Sequence, residues 1–64
     1  MKRAVVFQKS VKKHTAFDNV TNVDYRNNMC HITWILQEKE NVEPVKVVTS
    51  LPVNDLIRVD VFEV

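Results

Sequence analysis

Apolar and polar residues alternate along most of this chain, and the alternation defines its elements. Met29 to Gln37 is the plainest case: Cys30, Ile32, Trp34 and Leu36 fall on one face, with His31, Thr33 and Ile35 on the other. A period of two marks a strand with one face on a core. Ala4–Gln8, Val20–Arg26, Val45–Thr49 and Ile57–Val64 read as further strands, rich in β-branched and aromatic residues, and Lys12–Phe17 alternates toward its end. Nowhere do apolar residues recur at helical spacing over eleven or more positions. The pattern therefore predicts an all-β fold of about five antiparallel strands in a meander, curled into a small half-open or closed barrel. Pairing the first strand with the last would remove exposed edges. The predicted core is Val6 or Val5, Phe7, Phe17, Val20, Val23, Tyr25, Ile32, Trp34, Leu36, Val47, Leu56, Val59 and Val61.

The connections between strands are polar and contain no glycine anywhere. Turns that need a left-handed residue must then use asparagine or aspartate, which tolerate it best after glycine. Asn19, Asn22, Asn27, Asn28, Asn41 and Asn54 are the candidates, and Asn27-Asn28 reads as a two-residue hairpin turn. Two segments echo each other: Phe17-Asp18-Asn19-Val20-Thr21-Asn22-Val23-Asp24-Tyr25 and Val53-Asn54-Asp55-Leu56-Ile57-Arg58-Val59-Asp60-Val61. In each, an Asx pair makes one tight turn between two apolar plugs, and a strand follows with its aspartate facing solvent. Such a short element occurring twice is a shared way of entering a strand, not a repeat architecture.

Length sharpens this picture. A chain of 64 residues makes one domain, spanning 1–64, and buries only about 60% of the surface it exposes when unfolded. Domains this small lean on a disulfide, a metal or a second subunit. The lone Cys30 excludes an internal disulfide, and Cys30 with His31 and His14 makes a poor zinc set, because adjacent strand residues point apart. Self-association is the expected remaining support. No apolar run approaches a membrane span, the Ala4–Phe7 run is too short for a signal peptide, and the unpaired cysteine suits a reducing cytoplasm.

Net charge is +1, but it is unevenly spread: residues 1–26 carry +4 and residues 27–64 carry −3. Arg3, Lys9, Lys12, Lys13, His14 and Arg26 form a candidate basic binding patch, with Phe7, Tyr25 and His31 as potential stacking surfaces. Solvated strand faces and mutual attraction of two copies are the competing readings of the same split. Catalytic chemistry is not expected. Cys30 sits on the buried face, Ser10 and Ser50 lack a glycine-flanked elbow, and a phosphate-cradling loop needs glycine. No metal or cofactor is assigned.

Two resemblances extend these readings. Phe17-Asp18 followed by Asn22-Val23 is similar to the first signature of Sm-like RNA-binding barrels, and Leu56-Ile57-Arg58 with Val59-Asp60 is similar to the second. That resemblance implies that Asn22 and Arg58 help hold a uridine, although the family's glycines and amino-terminal helix have no counterpart here. Over its whole length the chain resembles small β-rich proteins of phages and prophages of Gram-positive bacteria. The residues that carry this are Phe17 to Val23 and a closing segment from Leu51 to Ile57. It implies an accessory module acting through its surface, on itself or on a host protein. The sequence thus points to non-catalytic protein binding, with weak single-stranded nucleic-acid binding through the basic half as the alternative.

Overall fold

Alternation, left-handed asparagines and a shortage of apolar bulk together produce two small sheets packed face to face. The computed structural model describes all 64 residues and contains six strands. They are β1 (Lys2–Gln8), β2 (Thr15–Asp18), β3 (Val20–Arg26), β4 (Met29–Leu36), β5 (Val45–Pro52) and β6 (Leu56–Glu63). A single 3₁₀ turn, Val53–Asp55, joins β5 to β6. The first sheet has the order β2-β1-β6 and the second β3-β4-β5, with every pairing antiparallel. The all-β, antiparallel reading holds, and the first and last strands pair along their length from Lys2↔Glu63 to Gln8↔Leu56. Five strands become six, because the segment beginning at Lys12 forms a real but short β2. No ladder joins β2 to β3 or β5 to β6, so the strands do not form one closed ring.

The two halves of the sequence echo mark the two places where the chain changes sheets. At Asp18-Asn19-Val20 it leaves the first sheet for the second, and Asn19 takes φ 55° to make the corner. At Val53-Asn54-Asp55 it returns, this time through the 3₁₀ turn with no left-handed residue. Within the second sheet, β3 and β4 are joined by a tight hairpin. Asn27 and Asn28 have φ 52° and 60°, the pairing of a type I′ turn, whose twist matches the strands it joins. Three of the six candidate asparagines thus do the work of glycine; Asn22, Asn41 and Asn54 do not.

Between the sheets lie Ala4, Val6, Val20, Cys30 and Ile32, the only residues that are buried. Phe17, Val23, Trp34, Leu51, Leu56 and Val59 pack around them, half-covered. Phe17 and Trp34 meet at 5.8 Å between ring centroids, and the Trp34 indole donates to Thr49 Oγ1 at 3.0 Å. The sheets approach through β1 against β3 and β2 against β4. Tyr25, Leu36 and Val61, all expected in the core, have inward strand parity but are 57%, 36% and 46% exposed. Val61 borders a concavity with Val20 and Val23 of β3, so the opposite sheet faces it without closing over it. Phe7 is a different correction. Ala4 and Val6 occupy the inward slots of β1, so Phe7 points outward. Ala4 was not anticipated, since a small residue gives little hydrophobic signal, yet it lets the sheets come close.

Position 28 offers a test of the turn chemistry. Asn28→Gly is expected to raise stability by several tenths of a kcal/mol, and Asn28→Val to lower it by about 1–2 kcal/mol. Urea unfolding followed by Trp34 fluorescence reads both. Equal midpoints for the two variants would contradict the left-handed assignment.

Candidate functional site

The six residues of the predicted basic patch do not converge. Lys9, Lys12, Lys13 and His14 fall in the β1–β2 connection, residues 9–14. Arg3 stands on the outer face of the first sheet, opposite Asp18 in register, and its Nε lies 2.5 Å from Asp18 Oδ1. The ion pair raises the Arg3 pKa and lowers that of Asp18, through the hydrogen bond first in each case. Arg26 lies on the second sheet, its Nε 2.6 Å from Asp24 Oδ2. Two of the six residues are therefore answered locally, while none of the three lysines enters an ion pair.

Register brings a further basic residue, Arg58, to this side of the first sheet. Phe7 of β1 pairs with Arg58 of β6, and the Arg58 guanidinium carbon stands 4.3 Å above the Phe7 ring centroid. An exposed cation–π contact of this kind contributes about 0.5–1 kcal/mol. The His14 ring approaches the same phenyl group at 5.7 Å, tilted by 43°. Phe7 thus has Arg58 over its ring and His14 beside it. Arg58 also bonds Asp60 Oδ2 at 3.1 Å.

The basic connection is tied down by one carboxylate. Asp55, in the 3₁₀ turn, accepts the Ser10 N–H at 3.0 Å on Oδ1. Its Oδ2 accepts from Gln8 Nε2 at 3.3 Å and from the Ser10 hydroxyl, and its carbonyl accepts the Lys9 N–H at 2.7 Å. A turn in one crossover thereby fixes the start of a loop between two other strands. Ser10 and Asp55 each read as simple turn residues in the sequence; only the β1–β6 pairing places them side by side.

On the outer face of the second sheet, Asp24, His31 and Ser50 form one cross-strand row. His31 Nδ1 and Ser50 Oγ are 2.7 Å apart, a hydroxyl beside an imidazole. Asp24 turns instead to Arg26. Nucleophilic chemistry also requires a concavity and donors for an oxyanion, and none of the three surface concavities includes His31 or Ser50. The row is a cross-strand hydrogen bond on an open face. Cys30 has no exposed surface, and burial raises its thiol pKa, which disfavours the reactive thiolate. Desolvation, then the Cys30 thiol opposite, raises the phenol of Tyr25.

The largest concavity, about 480 Å³, lies at the sheet corner by Asn19, between Met1 and Lys2 on one side and Ile35, Gln37 and Pro44 on the other. Asn22 and Arg58, paired by the Sm-like resemblance, lie in different sheets and share no concavity. No group of histidine, cysteine and carboxylate side chains is arranged to hold a metal ion. No helix is long and apolar enough to cross a membrane. Searches of protein-family models, curated proteins and solved structures return no match to this chain.

Asp55→Ala strips three donors of their acceptor. It is expected to cost about 1–3 kcal/mol in urea unfolding and to speed amide exchange at Ser10. Asp55→Asn, which keeps one acceptor oxygen, should lose less. Unchanged exchange at Ser10 in Asp55→Ala would show that the loop is held by other contacts.

Proposed function

We propose that this chain is a non-catalytic binding module that acts through its surface on protein. The observation that carries the reading is how much apolar surface the fold leaves uncovered. Five of the 64 residues are buried, whereas twelve large apolar residues are exposed. Accessible area is 4848 Å², against about 4,250 Å² from size scaling for a 7.5 kDa monomer. The radius of gyration, 12.3 Å, exceeds the roughly 11 Å of an average chain of this length. Apolar exposure on this scale is a feature of surfaces that meet a partner. Phe62 lies beside Arg3 on the outer face of the first sheet, and Val48 beside Thr33 on that of the second. The resemblance to small phage and prophage proteins supports an accessory role in a cytoplasmic setting, and the buried unpaired Cys30 suits a reducing one.

Capture from a host lysate on the immobilised full chain tests this reading. A protein retained by the wild type and lost on Phe62→Lys or Val48→Lys is the expected result. Retention that does not distinguish the variants from the wild type would count against it.

A second reading, weak single-stranded nucleic-acid binding, draws on one observation: three lysines without ion pairs share the tethered 9–14 loop with His14, beside Arg58. If it holds, fluorescence anisotropy with a labelled single-stranded oligonucleotide at about 20 mM salt should show binding that falls with added salt. Lys12→Glu with Lys13→Glu should abolish it. No binding at low salt removes this reading.

A further inference from the structure

Each sheet has two open edges: β2 and β6 in the first, β3 and β5 in the second. An open edge presents unpaired N–H and C=O groups and invites another strand. Three of these edges are poorly suited to pairing with a second copy of this chain. β2 is four residues long. β5 follows Pro44, ends at Pro52 and carries Lys46 as its one charge, so antiparallel self-pairing there gains no opposite charge. β3 carries a register shift between Val20 and Asn22, and its Asp24-Tyr25-Arg26 segment runs straight into the left-handed Asn27.

β6 differs. It runs eight residues, its one register shift falls at Ile57 near its start, and Ile57, Val61 and Phe62 are 65%, 46% and 45% exposed. Its centre, Ile57-Arg58-Val59-Asp60-Val61, is self-complementary about Val59. Apolar residues stand at the middle and both ends, and opposite charges flank the middle. In an antiparallel pair related by a two-fold axis, residues on the same face oppose each other. An axis at Val59 sets Arg58 against Asp60 of the second copy, and Asp60 against its Arg58. On the other face it sets Val59 against Val59, while Ile57 is skipped in the register with β1 and adds no assigned pair. Opposite-charge and β-branched pairs directly opposed are stabilising, and like charges so placed are not. An axis at Asp60 would oppose two aspartates. An axis at Val61 would leave Arg58 against Val64 and Asp60 against Phe62, with neither charge matched.

We infer that two copies of this chain pair antiparallel through β6 in the register centred on Val59, forming one six-stranded sheet of order β2-β1-β6-β6-β1-β2. The inference rests on the protein-binding reading above and names a second copy as a partner.

Size-exclusion chromatography with light scattering on the full chain, over a range of micromolar concentrations, tests it. The wild type should reach twice the 7.5 kDa chain mass. Asp60→Arg, which also removes the Arg58–Asp60 ion pair within the chain, opposes two arginines at both symmetric positions and should raise the dissociation constant at least about tenfold. Arg58→Asp should do the same by opposing two aspartates. The double variant, Arg58→Asp with Asp60→Arg, restores both opposite-charge pairs and should dimerise again. Mixing the two single variants should give a heterodimer where each alone is monomeric, an outcome that misfolding cannot imitate. A wild type that stays at 7.5 kDa overturns this inference, while the lysate capture still decides the broader reading. A dimer indifferent to all these charge changes places self-association on another surface and also overturns it.

Discussion

The structure depends on how little apolar bulk two three-stranded sheets can enclose. Ala4, Val6, Val20, Cys30 and Ile32 form the whole buried layer, and aromatic and aliphatic neighbours close it only in part. With so thin a core, directional contacts at the periphery carry more of the specificity. Asp55 fixes the β1–β2 loop, Gln37 Nε2 donates to the carbonyls of Lys39 and Val42 in the polar loop before β5, and Val64 N–H reaches Met1 O at 2.8 Å. Each ties a segment that no burial would hold.

The same shortage explains which parts of the fold were legible in the sequence. Strand existence and type depend on alternation, a local property, so Val20–Arg26 and the strand starting at Met29 were readable directly. The Asn27-Asn28 turn was readable too, because a chain without glycine has few other residues for two consecutive left-handed positions. The echo between Phe17–Tyr25 and Val53–Val61 was visible but underdetermined. Its common feature is a change of sheet, achieved by a left-handed Asn19 in one case and a 3₁₀ turn in the other. Sequence shows that both places turn; only the packed sheets show that both cross.

Burial was less legible, and for a geometric reason. Strand parity correctly puts Tyr25, Leu36 and Val61 on inward faces, but burial also requires the opposite sheet to reach them. That overlap depends on how the two sheets are offset, a long-range property. The basic patch failed by the same route. Counting charges along residues 1–26 groups Arg3 and Arg26 with the lysines, while register gives each of them a carboxylate of its own. Register also brings in Arg58 from the far end of the chain, onto the face of Phe7. Pairing of the first and last strands is legible in the sequence, but the register that sets Arg58 opposite Phe7 is not.

Edges link the thin core to the surface. A small domain that cannot close its strands into a ring must leave four edges open, and the usual remedies are short strands, proline, bulges and unmatched charge. β2, β5 and β3 show these devices in turn: four residues, flanking Pro44 and terminal Pro52, and the shift after Val20. β6 has its irregularity at one end only, between the partners of Phe7 and Gln8, and the run beyond it is regular. Its charges do not repel a second β6, because Arg58 and Asp60 flank Val59 symmetrically with opposite sign. Charge on an edge strand protects against association only when the approaching strand carries the same charge at the opposed position. On β6 the arrangement rejects a strand shifted to the Asp60 register and accepts one centred on Val59. The charges that would ordinarily blunt an edge here select its register.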